Sequence, residues 1–460
     1  MNNLTFLNYR VSLIFFVFIL IMFSALNMVS FFDIINSYSH ALILIVILLF
    51  IYLFRWVNKC DPLNIYSLFF FTTLVFIGGR YFAILINPSL NVYEMDFFVY
   101  DLLNSKESGS LFFYFISTIL SLEIGFYLSE IYNKSKIKDY DFFYFDLKHK
   151  FLFVFLLFLV GFYSIYQNFG MLSKAFVGGY LSLYENQVNA YSTSFGTIFL
   201  ALKLGLLAIV CMQKNKILKI FYFSLLFLSF AATFIAGIRG GFITYILFLI
   251  WYYNRSSIKK INLFKIFAIF LILLLLLVFG FSKISLRGSY SSENYFDSLA
   301  NFLYGQGISL LVFYESMKIE SYPVVAYIQN FIPGTSTFYS LLYGDIYTYE
   351  NNFGYYLGYS LNKEAHEAGL GLGWSIFADL HLFAGRNTLI YILLCCLLSF
   401  LLNGLDIKSH KSKFYLFLAI VLLQSILFVP RAGLNTIIPM IFYSMFFYVV
   451  LLNLFVRRDN

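Results

Sequence analysis

Uncharged, apolar stretches of about twenty residues recur from one end of this sequence to the other, the length that crosses ~30 Å of hydrocarbon. In lipid a segment must satisfy its own backbone hydrogen bonds, which only helices and closed barrels achieve. These stretches far exceed the ~9–11 residues of a barrel strand and lack its apolar-out, polar-in alternation. The fold class is therefore an all-α polytopic membrane protein. Composition agrees: 61% of the 460 residues are hydrophobic and 12% are charged, against about 25% charged in soluble proteins. Twelve spans are expected, at about 11–29, 38–54, 66–86, 111–131, 150–169, 194–212, 217–236, 239–253, 262–281, 387–405, 414–430 and 435–456. The first follows Arg10 like a signal peptide but lacks a small-residue cleavage site, so it reads as a retained helix. Cys60, Cys211, Cys395 and Cys396 have neither metal-ligand spacing nor the pattern of a disulfide framework.

Orientation follows from Lys and Arg, which favour the cytoplasmic side. With the N-terminus inside, the inner segments carry 20 basic against 7 acidic residues, and the outer segments 10 against 15. An even number of spans with both termini cytoplasmic is expected. The net charge of +8 is then an expression of topology, and no nucleic-acid partner is expected. The chain divides into a membrane bundle over 1–281, a large outer loop over 282–386, and a second bundle over 387–460. A structureless connection of that length is uncommon, so the loop is expected to fold into short interfacial helices. Its stretches Ile308–Tyr314 and Tyr322–Ile328 look amphipathic.

The outer arginines violate the charge rule and are the residues most worth explaining. Arg239 stands in Gly237-Ile-Arg-Gly240-Gly241, Arg431 in Pro430-Arg-Ala-Gly433, Arg386 opens the tenth span and Arg287 begins the loop. Their planar forked donors suit phosphate oxygens, and together they could line one outward cleft. The plainer reading is four separate interfacial anchors with snorkelled side chains. Arg80, after Gly78-Gly79, ranks below them. Lys203 and Glu123 lie at membrane depth, where they either pair or snorkel separately. Within Glu364–Arg386 the loop gathers His366, Glu367, Ser375, Asp379 and His381. If 373–384 is helical, Ser375 and Asp379 share a face. His366 and Glu367 could act as a base, and Asp379 could orient a hydroxyl. The same run could equally be a polar lead back into the membrane. No His-rich spacing signals a metal.

These features resemble the Wzy-type O-antigen polymerases, the oligosaccharide repeat-unit polymerases. The resemblance covers most of the chain: many spans, a Gly-x-Arg-Gly turn, a large outer loop, and Gly373-Trp-Ser-Ile-Phe-Ala-Asp-Leu-His-Leu-Phe-Ala-Gly385 before the last helices. That run is similar to a Gly-Ser-x-x-Ala-Glu-x-Tyr-x-x-Phe-Gly-like element. Asp379 stands in place of the glutamate, His381 in place of the aromatic, and Trp374 and Ala384 are insertions. The resemblance implies a GT-C-like fold and glycosyl transfer at the outer face of the bacterial inner membrane. It also implies undecaprenyl-pyrophosphate-linked glycans as substrates, with membrane lipids, a flippase and a chain-length regulator as partners. The pyrophosphate would be bound by Arg239, Arg287, Arg386 and Arg431. His366, Glu367 or Asp379 would be the base, and Gly240, Gly241, Ser375 and His381 would position substrate. No cofactor and no metal are expected. An O-antigen ligase, or a polysaccharide flippase or other transporter, is the alternative.

Overall fold

The computed structural model describes residues 3–133, 144–183, 194–256, 294–343 and 347–456. In chain order its main helices are α1 (Asn3–Met28), α2 (Phe31–Ile34), α3 (Ser37–Val57), α4 (Ile65–Phe76), α5 (Gly79–Ile86), α6 (Ser105–Asn133), α7 (Lys150–Gly178), α8 (Ser194–Cys211), α9 (Lys216–Ile235) and α10 (Gly240–Ser256). The large loop follows with α11 (Tyr295–Gln306), α12 (Ser309–Lys318), α13 (Val324–Gln329), α14 (Thr335–Tyr343), α15 (Phe353–Leu361), α16 (Lys363–Glu367) and α17 (Ile376–Phe383). The chain ends in α18 (Thr388–Ser409), α19 (Lys413–Phe428) and α20 (Ile438–Phe455). Asparagine begins several of these helices. The side chains of Asn36, Asn64, Asn215 and Asn387 accept from the first-turn amides of α3, α4, α9 and α18, satisfying donors that a helix start leaves open.

Among the described residues, 8 helices are long and apolar enough to cross a membrane, or 9 when α4 and α5 count as one broken span. Among the described residues each expected span coincides with a helix, but α8 and α10 are not among these 8, and 262–281 lies outside the described residues. The expected continuous span 66–86 is corrected: it breaks at Gly78-Gly79 and α5 departs from α4 at 58°. The break is made by contact. A Cβ on Gly79 would stand 2.5 Å from the Leu303 carbonyl oxygen, and one on Gly307 would stand 2.5 Å from the Arg80 nitrogen. Backbone meets backbone where α5 crosses α11.

The most apolar window of α6 is 89% buried, against 11% for that of α1, which makes α6 the axis of the bundle and α1 a lipid-facing wall. Around α6 pack α1, α2 and α18, while α8 packs on α19 and α20, and α9 on α7 and α10. A Cβ on Gly125 would stand 2.0 Å from the Cys396 carbonyl oxygen, so α6 and α18 touch through a small residue, as membrane helices do.

The charges at depth find partners that sequence distance hides. Glu123 forms an ion pair with Arg55 and accepts from the Tyr66 hydroxyl at 2.8 Å. The pairing of Glu123 with Lys203 is thereby overturned; the Lys203 ammonium lies 4.7 Å over the Phe230 ring. The reason is lateral placement, since Glu123 faces α3 and α4 while Lys203 faces α9. At the ends of α10 and α18, Arg255 stands 3.6 Å from Asp406, which also accepts from the Trp251 indole at 3.3 Å.

The large loop is built into this bundle. α11 packs along α5, and α17 packs on α12 and α18. The expected interfacial stretch Ile308–Tyr314 is corrected, because Ser309–Ser316 is buried among protein. A two-residue hairpin, β1 (Glu94–Met95) with β2 (Asp101–Leu102), joins the loop through Lys318, which forms ion pairs with Asp101 and Glu315.

Candidate functional site

One helix of the loop collects three arginines that lie far apart in sequence. α11 begins at Asn294, whose side chain accepts from the Phe296 amide at 3.1 Å, and buries Ala300 and Leu303. Arg80 lies across it, its guanidinium carbon 3.9 Å from the centre of the Tyr304 ring. Arg80 also donates to the carbonyl of Val92 at 3.1 Å and to that of Glu94. It is 1% exposed, so it serves as an internal strut. Arg239 lies 5.9 Å from the Phe302 ring. Arg431 donates to the Gln306 side-chain oxygen at 2.8 Å and lies 5.9 Å from the Phe76 ring. Phe302 and Gln306 are one helical turn apart, about 5–6 Å between their Cβ atoms.

Two turns deliver Arg239 and Arg431 to this face. The first depends on Gly237, whose φ of 103° a side chain rarely adopts. Gly240 then opens α10, and a Cβ there would stand 2.6 Å from the Phe428 ring; Phe428 in turn meets Phe76 edge-on at 5.9 Å. Gly240 and Gly241 thus pack α10 closely, against Phe428 and Phe230.

The second turn follows α19 and is held by Asp379. Its Oδ1 accepts from the Trp374 indole at 2.7 Å and its Oδ2 from the Leu434 amide at 2.6 Å. A Cβ on Gly433 would stand 2.8 Å from the same Oδ2. Asp379 is 0% exposed, and burial pushes its carboxyl up to about 7, with the Leu434, Trp374 and Asn330 hydrogen bonds drawing it back. A buried carboxyl with both oxygens engaged is an anchor for the Arg431 turn.

The remaining expected site residues have other neighbours. Ser375 caps α17, accepting from the Phe377 amide at 3.3 Å, so the helix starts at Ile376 instead of 373. His381 is enclosed by the rings of Tyr114, Phe313 and Tyr391. Burial pulls it down to about 4, with Arg386 acting the same way. Arg386 donates to the carbonyls of Ile319 and Glu320 just after α12. His366 packs against Tyr355 and Tyr359, and burial lowers its pKa. Glu367 is exposed and stands 3.8 Å from Lys363. Arg287 lies outside the described residues. Arg239 and Arg431 are therefore brought to one helix, while Arg386, His366 and Glu367 are placed around different elements.

Sequence reasoning missed Gln306 and the structural part of Trp374. Gln306 did leave a signal, as a polar residue between Gly305 and Gly307 in an otherwise apolar run. Among the described residues no group of three or more His, Cys, Asp or Glu side chains is arranged to hold a metal ion.

Among curated proteins and among solved structures nothing matches the chain significantly. The family described as O-antigen polysaccharide polymerase Wzy matches residues 11–458. That match takes in the broken span, both arginine turns, α11 and the Asp379 anchor, and by it the chain belongs to the Wzy family of O-antigen polysaccharide polymerases, as a multi-pass protein of the inner membrane.

Proposed function

We propose that this enzyme extends surface polysaccharide by joining undecaprenyl-pyrophosphate-linked oligosaccharide repeat units at the outer face of the inner membrane. Family membership supports O-antigen polymerisation with lipid-linked repeat units in general. The observation that carries the finer reading is the meeting of Arg239 and Arg431 on α11. In the reaction an acceptor sugar hydroxyl attacks the anomeric carbon of the growing glycan. The bond from that carbon to the pyrophosphate oxygen breaks, and the leaving group takes the electron pair. Cations held in place beforehand stabilise that developing charge without reorganising. Arg239 and Arg431 fill this role. The hydroxyl proton passes to a base; His366, which burial favours in its neutral, proton-accepting form, and Glu367 are the candidates. Asp379 holds the turn that carries Arg431.

The twelve-span arrangement with both termini cytoplasmic, and a GT-C-like fold, belong to the same proposal. They are supported by the charge asymmetry and by the apolar helices that occupy the described spans. The loop, threaded into the bundle, faces the opposite side and can roof a site reached by two lipid-linked glycans.

The test is deletion of the gene followed by sizing of surface glycans on a gel, with Arg239→Ala and Arg431→Ala restored in turn. Single-repeat glycans are expected for the deletion and for both variants at normal protein level. Full ladders in both variants would reject the pyrophosphate assignment. Longer glycan on the lipid carrier, formed by purified enzyme from lipid-linked repeat units, separates a polymerase from a ligase, which would transfer only to lipid A–core.

A further inference from the structure

Residues 321–343 stand out within the loop because they hold no charged side chain. They fold as α13 and α14, which pack on each other across Pro333-Gly334, where Gly334 takes a φ of 85°. Helices of 6 and 9 residues rise about 9 and 14 Å, so neither crosses the ~30 Å of hydrocarbon. One side of α13 is held by protein. Val325 and Ala326 are buried, and the Tyr327 ring meets Phe353 at 4.8 Å and Phe383 at 5.7 Å. The other side of α13 and one face of α14 are apolar and exposed. Val324 and Ile328 lie one turn apart on α13, and Ile332 follows it. Phe338, Leu341 and Leu342 recur on α14 at the three- and four-residue spacing of a single helical face. Leu341 is 77% exposed. A later part of the loop is the contrast, since the exposed side chains of α16 include Lys363 and Glu367, 3.8 Å apart as an ion pair.

We propose that α13 and α14 lie in the plane of the bilayer, with this apolar face sunk among the acyl chains of the leaflet beside the loop. A contiguous apolar surface marks contact with a protein or a membrane, and the residue types decide between them. Protein interfaces are anchored by Trp, Tyr and Arg, with Leu and Val under-represented. This face is made of Leu, Ile, Val and Phe, with no charge anywhere in 321–343 to form a polar rim. The chain is a multi-pass protein of the inner membrane, so a bilayer is at hand, and an apolar helix face settles about 5–10 Å into its headgroup–acyl boundary. The location also bears on the arginine site. Phe331, just after α13, meets Phe383 at 5.0 Å, and Phe383 lies one turn from Asp379 on α17. The helix pair thereby ties the turn that carries Arg431 to the leaflet.

The placement needs only the membrane and stands apart from the pyrophosphate assignment. Full-length protein is put into nanodiscs of phosphatidylethanolamine and phosphatidylglycerol, with plain or brominated acyl chains. Tryptophan is introduced as Leu341→Trp and, on α16, as Lys363→Trp, and the fluorescence of each is read against wild type. The added emission of Leu341→Trp is expected to be quenched by brominated chains and left unchanged by iodide in the water. Lys363→Trp is expected to show the opposite. Iodide quenching of Leu341→Trp equal to that of Lys363→Trp would place the face in water. Quenching by neither agent would place it against protein, a second copy of the chain included. Either result overturns the proposal, and Phe338→Trp repeats the measurement should Leu341→Trp not accumulate. In cells, Leu341→Glu combined with Leu342→Glu is expected to lose long-chain glycans at normal protein level, because carboxylates are driven out of hydrocarbon. Leu341→Ile combined with Leu342→Ile is expected to keep them. Full ladders in the double glutamate variant would overturn the tie between the helix pair and the Arg431 turn.

Discussion

The two ends of the bundle treat arginine in opposite ways. At the end away from the loop, Arg55 and Arg255 terminate α3 and α10 and meet the carboxylates of Glu123 and Asp406. At the loop end, Arg80 and Arg386 are held by main-chain carbonyls and Arg431 by an amide oxygen. A carboxylate cancels a guanidinium; a carbonyl only aims it. The first arrangement neutralises an arginine within the scaffold, and the second sets the direction in which it points. Arg80 shows that aiming alone is insufficient, because at 1% exposure it is sealed beneath α11. Arg386 is carbonyl-held at an exposed position, and what sets Arg239 and Arg431 apart from it is that both converge on α11.

The comparison is broken most directly at Glu123. Glu123→Ala leaves the partly buried Arg55 guanidinium without its carboxylate and is expected to cost up to about 3 kcal/mol, seen as a fall in membrane-inserted protein and in melting temperature. Stability close to wild type would remove the distinction between the two ends. Arg431→Ala should do the reverse, lowering polymer formation by about 10²-fold, as loss of one transition-state donor does, while protein level holds. A comparable fall in protein level would mark Arg431 as another scaffold residue. Gly240→Ala is expected to destabilise by about 1–3 kcal/mol through overpacking, since its Cβ would press on Phe428 at 2.6 Å; thermal melting in detergent measures it.

The last test is a dependence on pH. The Asp379 carboxyl sits at about 7 in the folded chain against 3.8 ordinarily, so the folded state binds its proton more tightly. Its favourable share is therefore complete below about pH 4 and is lost as the pH rises through about 7. The melting temperature of wild type should fall over that interval relative to Asp379→Asn, and a parallel course for the two would disprove it.

Much of this architecture was legible because hydrocarbon thickness imposes a length that runs of Phe, Leu and Ile reveal directly. The turn at Gly237–Gly241 was legible for a similar reason, since glycine next to a misplaced arginine has few uses. What could not be read was lateral packing. Whether Glu123 and Lys203 pair or stand apart was open in the sequence, since which helix each faces depends on contacts between segments some 70 residues apart. The loop misled in another way. His366, Glu367 and Asp379 are close in sequence, but the chain turns at Gly369 and Gly373, both at positive φ, and sends them to different neighbours. Ser375 and His381 seemed suited to a sugar and became a helix cap and part of an aromatic cluster. Gln306 left only its place between two glycines as a signal, because its meaning comes from Arg431, 125 positions away.

The break after Phe76 bears on depth. A helix of 12 residues rises about 18 Å, well short of the ~30 Å that hydrocarbon occupies. α4 therefore crosses only together with α5, and the 58° bend between them makes the pair either a broken span or a re-entrant loop.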